Sequence, residues 1–139
     1  MSAEDLETTI KKIINEKKRI AVVGLSDNPE RTSYTVTEAM QNAGYEIFPV
    51  NPMIDEWKGI PAFSSLKEID DHVEVVNVFR QSKFLPEIAK ETVEIGADVL
   101  WAQLGVEHEE AKEYAEKHGV TVVMNRCIKV EHAKYKNKA

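Results

Sequence analysis

Residues 20 to 34 read Ile20-Ala21-Val22-Val23-Gly24-Leu25-Ser26-Asp27-Asn28-Pro29-Glu30-Arg31-Thr32-Ser33-Tyr34. An apolar run breaks at a glycine, crosses a short polar turn and reaches Thr32-Ser33, a hydroxyl pair able to open a helix. Backbone N–H groups at such a turn and helix start lack an intrachain partner, so they form a natural seat for phosphate. Arg31 adds a charge to that seat.

The same alternation continues outward. Leu6, Ile10, Ile13 and Ile14 recur at helical spacing, giving an amphipathic helix over residues 3 to 18 that packs on the domain ahead of the first strand. Residues 20 to 24 form strand one, and Val36, Ala39, Met40 and Ala43 line the helix after it, which Gly44 stops. Residues 45 to 50 form strand two; a longer loop with Trp57, Gly59 and Pro61 follows, and Ser65-Leu66-Lys67-Glu68 fits a capping box. Strand three, residues 73 to 79, is nearly all apolar, as suits burial on both faces. A helix over residues 82 to 95, strand four at 98 to 101, a helix over 107 to 117, strand five at 120 to 124 and a last helix starting near Asn125 complete the chain.

Strands alternating with helices imply an α/β, Rossmann-like five-stranded parallel sheet with helices on both faces, because parallel strands require right-handed crossovers. The expected strand order is 3-2-1-4-5, with 2-1-3-4-5 as its competitor. In either, ligands bind at the carboxyl ends of the strands, here Gly24, Val50, Phe79, Trp101 and Met124.

A chain of 139 residues suits a single domain, and the expected domain is residues 1–139. No apolar run approaches a membrane span, and Glu4, Asp5 and Glu7 do not fit the basic start of a signal peptide, so a cytoplasmic location is expected. A single cysteine excludes an internal disulfide. A formal net charge of −6 argues against a broad nucleic-acid face, while the basic tail of Lys129, Lys134, Lys136 and Lys138 reads as a solvated helix end.

A dinucleotide site asks for G-x-G-x-x-G after strand one and an acidic residue closing strand two. Here Ser26 and Pro29 occupy the later glycine positions, and strand two runs into Asn51-Pro52. A Walker loop is missing too, since no G-K-[ST] occurs.

The motifs Gly24-Leu25-Ser26, Asn28-Pro29-Glu30-Arg31-Thr32-Ser33-Tyr34, Pro49-Val50-Asn51-Pro52, Val78-Phe79-Arg80, Trp101-Ala102-Gln103-Leu104-Gly105-Val106 and Val122-Val123-Met124-Asn125-Arg126-Cys127-Ile128 fall in order at strand ends. With them the chain resembles the small stand-alone CoA-binding proteins, which are similar to the CoA-binding domain of the succinyl-CoA synthetase alpha subunit. The likeness runs from about residue 19 to residue 132. It implies a nucleotide-binding domain that holds coenzyme A with the diphosphate near residues 24 to 34. Gly24, Leu25, Ser26, Arg31, Ser33 and Tyr34 then match the phosphate turn, Asn51 and Pro52 the second loop, and Phe79 and Arg80 the third, with Lys83, Gln103 and Cys127 as further contacts. Leu25 stands where the family more often has alanine, and narrows the turn.

The chemistry of coenzyme A agrees, since its diphosphate and ribose phosphate need spaced cations or N–H donors. Arg31 and Arg80, with Lys83 or Lys58, supply charge, and Phe79 supplies a surface for adenine. Plain readings stand beside these: Arg31 as an exposed loop residue and Phe79 as core.

No catalytic constellation appears. His72, His108, His118 and His132 are scattered, and His118 before Gly119 suits a helix C-terminus. Ser26 sits in no G-x-S-x-G turn. Cys127, read into the first turn of a helix capped by Asn125, is either a small apolar filler or a thiolate placed for a mixed disulfide with the CoA thiol. In the synthetase the resemblance points to, catalysis relies on a phosphorylated histidine and a nucleotide-binding partner outside the matched domain. The expected function is therefore binding of coenzyme A or an acyl-CoA, as a carrier, sensor or component of an acyl-CoA system. A homo-oligomer and an acyl-CoA enzyme partner both remain open. The competing readings are an NAD(P)- or nucleotide-binding Rossmann enzyme and an interaction module with a vestigial pocket.

Overall fold

The computed structural model describes residues 3 to 136, so Lys138 of the basic tail lies outside the described residues. Helix α1 (Ala3–Glu16) leads into β1 (Arg19–Val23), followed by α2 (Thr32–Asn42), β2 (Glu46–Val50), the short strands β3 (Glu56–Trp57) and β4 (Ile60–Pro61), and β5 (Val75–Val78). Then come α3 (Leu85–Glu94), β6 (Val99–Ala102), α4 (Glu109–Lys117), β7 (Thr121–Val123) and α5 (Ile128–Tyr135).

Five strands form one parallel sheet in the order β2-β1-β5-β6-β7. Counting only these five, the order is 2-1-3-4-5, which corrects the expected 3-2-1-4-5: strand three pairs with strand one, and strand two is an edge. Pro49 gives the physical reason. Its carbonyl faces away from β1 and accepts a bond from the Phe63 N–H at 2.9 Å, so its missing N–H falls on the open side of the sheet. An interior strand would lose a ladder bond there. Phe63 covers that edge through a parallel bridge to Val50.

Alternation along the strands builds two cores. Ala21, Val23, Phe48, Val50, Val76, Val78 and Leu100 point to the face covered by α3 and α4. Ile20, Val22, Ile47, Val75, Val99 and Trp101 point to the face covered by α1, α2 and α5, where Ile10, Ile13 and Ile14 bury the apolar stripe of α1. Successive crossovers thus change face between β1 and β5. Register aligns Val23 with both Val50 and Val78, so the strand ends are level where the two sets of loops diverge, and a crevice opens there.

Two local expectations change. The loop after β2 contains an antiparallel hairpin, in which Trp57 faces Ile60 across Lys58 and Gly59. Both turn residues have positive φ, 50° and 80°, the geometry a two-residue hairpin needs. The capping box does not form: Glu68 accepts the N–H of Ser64, one residue ahead of the N-cap, at 2.7 Å, and Ser65 makes no side-chain cap. No helix among the described residues is long and apolar enough to cross a membrane.

Candidate functional site

The crevice has two lobes that meet at Gly24, Asn51 and Met53. One, of about 720 Å³, lies against the start of α2 and is lined by Ser26, Arg31, Thr32, Ser33 and Phe79, with Asp27 and Glu30 at its edge. The turn that frames it is largely self-bonded. Ser33 Oγ accepts the Ser26 N–H, Ser26 Oγ accepts that of Asn28, and Asn28 Oδ1 accepts that of Glu30, each at 3.0 Å. Arg31 N–H is also used, donating to the Asn28 carbonyl.

These bonds use up much of the turn's own hydrogen-bonding capacity and leave the helix start as its open part. Arg31 is the extended N-cap residue of α2, no side chain caps the helix, and no acidic residue occupies its first turn. Its amide dipoles therefore open onto the lobe, where an anion is favoured. Arg31 is exposed and lines this lobe together with Asp27 and Glu30.

The other lobe, of about 620 Å³, is floored by Val23, Val50, Leu66 and Ile88 and walled by Arg80, Phe84, Glu87 and Glu91. The Arg80 guanidinium carbon stands 4.1 Å from the centroid of the Phe84 ring. Its methylenes cross Gly24: a β-carbon there would lie 3.1 Å from Arg80 Cδ and 3.3 Å from Cγ, and Gly24 has φ of +84°. Glycine is thus required twice over, for the turn and for the arginine above it. Burial pushes the Glu91 carboxyl above its ordinary range, while nearby Lys67 pulls it back.

Gly24, Ser26, Arg31, Ser33, Asn51, Pro52, Phe79 and Arg80 therefore share one crevice. The remaining expected residues line neither lobe. Leu25 is fully buried in the core beneath the turn, so it does not narrow it. Tyr34 packs edge-on against Trp57 at 5.4 Å, and exposed Lys83 has its Nζ over the Phe84 ring, 5.2 Å from the centroid. Lys58 pairs with Glu38 at 2.8 Å, well away on the hairpin. Gln103 is buried and donates to Asn77 Oδ1 at 2.6 Å.

Cys127 is the N-cap residue of α5 instead of a first-turn residue, half-buried against the core. Asn125 does not cap that helix: it has φ of 59° and its Oδ1 accepts the Gly105 N–H at 2.7 Å.

Sequence reading missed Met53, Phe84, Glu87 and Glu91. It followed strand ends, whereas Phe84 is the N-cap residue of α3 and Glu87 and Glu91 lie within that helix; their spacing by three and four residues was the available signal. Among the described residues no group of His, Cys, Asp and Glu is arranged to hold a metal ion.

A protein of Bacillus subtilis called YneT is 58% identical over 124 residues, spanning 89% of this chain and 92% of that protein. The alpha subunit of an ADP-forming acetate–CoA ligase of Pyrococcus furiosus is 29% identical over 120 residues, and the match takes in 78% of this chain but only 26% of the subunit. Among solved structures, a hypothetical protein of Pyrococcus horikoshii superposes with a TM-score of 0.91 at 34% identity, covering 94% of this chain and 92% of that one. The family model described as CoA binding domain matches residues 18–133, from just before β1 into α5, and the chain belongs to that family.

Proposed function

We propose that the crevice binds coenzyme A, with the diphosphate at the start of α2 and the rest of the molecule running across Gly24, Asn51 and Met53 into the second lobe. The uncapped N-terminus of α2 beside Arg31, at the carboxyl end of β1, carries this reading. Amide dipoles and one guanidinium supply what a diphosphate requires without a broad basic surface, in keeping with a net charge of −6. The apolar floor of the second lobe then receives an uncharged part of the ligand.

Asn51 weakens the dinucleotide reading. Its Nδ2 donates to the Leu25 carbonyl and its Oδ1 accepts the Met53 N–H, both at 2.9 Å, so a neutral amide that ties two loops stands where a dinucleotide site has a free carboxylate. The chain corresponds to about a quarter of the ligase subunit it resembles. We assign the crevice itself a binding role, holding coenzyme A or an acyl-CoA.

Titration calorimetry tests this. Coenzyme A is expected to bind with one-to-one stoichiometry, and Arg31→Ala to weaken it about ten- to hundredfold, the loss of one charge-assisted bond. Absence of binding, or an unchanged dissociation constant in the variant, overturns the assignment.

A further inference from the structure

At the amino ends of the strands, opposite the crevice, α1 and α5 meet beside the start of β2. Asn15 Nδ2 on α1 donates to the Tyr135 carbonyl on α5 at 2.9 Å, and the hydroxyl of Tyr45, just ahead of β2, donates to the Ile14 carbonyl. His132 on α5 completes the junction. Its ring stands edge-on to Tyr45, with centroids 5.7 Å apart and planes at 78°, and its Nε2 is buried with no hydrogen-bond partner among the described residues.

That orphan nitrogen limits the charge the ring can carry. A neutral imidazole keeps its proton on Nδ1 and leaves Nε2 as a bare lone pair, whereas an imidazolium has an N–H at both nitrogens. Protonation would therefore bury a charged donor with nothing to accept it. The surrounding charges oppose it as well. Lys136 stands at the end of α5, and Lys18, from the turn between α1 and β1, has its Nζ 5.7 Å from the centroid of the Tyr45 ring. Burial, Lys136 and Lys18 together hold the His132 imidazole below its ordinary range. Tyr45 does not titrate with it, since burial pushes that hydroxyl up to about 12. The carboxylate of α5, Glu131, is committed to Arg126 at 3.1 Å and Lys134 at 3.9 Å, and His132 forms no ion pair among the described residues.

We propose that His132 is an acid-sensitive latch: neutral, it lets the second turn of α5 dock against α1 and Tyr45, and protonated, it releases that turn. In the released state the ring is in water with an ordinary pKa near 6.5, above that of the docked ring. As pH falls through about 6.5 the released state takes up the proton first and gains population. The loss of docking levels off only when the docked ring is protonated too.

Hydrogen exchange on the full chain tests the latch, read as protection factors so that the pH dependence of exchange itself is removed. From pH 7.5 to 5.5 a released ring with a pKa near 6.5 gains enough proton to raise the open population by up to about tenfold. The amides of Glu131 and Lys136, which donate to the Cys127 and His132 carbonyls, should lose about five- to tenfold in protection while those of β1 and β5 hold theirs. His132→Gln, which takes up no proton, should show equal protection at both pH values, whatever its absolute level. In the Lys18→Met/Lys136→Met variant the NMR titration midpoint of the His132 ring should move up and the step in protection shrink. An α5 whose protection is the same at both pH values in the wild type, or a step that persists in His132→Gln, overturns the latch. So does a wild-type His132 midpoint at or above the ordinary value.

Discussion

Gln103 directly follows β6 at the carboxyl end of the sheet, yet its side chain is committed to the interior. It is 4% exposed, and its Nε2 donates to Asn77 Oδ1 on the neighbouring strand, with Asn77 1% exposed. A buried amide stripped of its partner costs about 1 to 3 kcal/mol. Gln103→Leu is therefore expected to lower stability by that amount in urea denaturation, while leaving the calorimetric affinity for coenzyme A within about twofold of wild type. A large affinity loss with unchanged stability would return Gln103 to the ligand. Asn51 illustrates the same principle at the crevice itself, since both ends of its amide tie loops together and its value lies in placing Leu25 and Met53.

At the scale of the element, α2 leaves its N-terminus uncapped, at a cost in stability. Arginine is a poor N-cap, and Arg31 makes no capping bond. Arg31→Ser is expected to raise stability by about 0.5 to 1 kcal/mol by supplying the missing cap, and at the same time to weaken coenzyme A by about tenfold, because it removes the charge and occupies the N–H groups an anion would use. Denaturation and calorimetry on the one variant should thus move in opposite directions; a fall in both would show that Arg31 is structural. Helix and strand types were legible because their apolar periods are unambiguous, as with Ile10, Ile13 and Ile14 in α1. Their caps were not. Asn125 and Cys127 carry no period, and which of them starts α5 was decided by the Gly105 N–H that draws the Asn125 side chain away.

Across the whole molecule, strand order decided where the two lobes lie. Pro49 was visible in the sequence and marks an edge strand, yet the alternation of strands and helices is the same for both orders, so periodicity could not choose between them. With β2 at the edge, the crossover from β2 passes β1 to reach β5, and the crevice falls between the turn after β1 and the start of α3.

A ligand held there touches both sets of crossovers, so binding should stabilise the entire domain. At a concentration one hundred times its dissociation constant, coenzyme A is expected to add about 2.7 kcal/mol, which for a domain of this size raises the thermal midpoint by roughly 8 °C. NAD at the same concentration should leave the midpoint within about 1 °C, for a ligand whose dissociation constant lies far above its concentration adds almost nothing. The difference rests on Asn51, an amide tied to the Leu25 carbonyl and the Met53 N–H where a dinucleotide fold places a free carboxylate, and on Ser26, whose backbone N–H is tied to Ser33 Oγ where a glycine would admit a pyrophosphate. Scanning calorimetry with each ligand in turn measures it. An equal rise with NAD would mean that the self-bonded turn opens on binding, and that the crevice serves nucleotides in general.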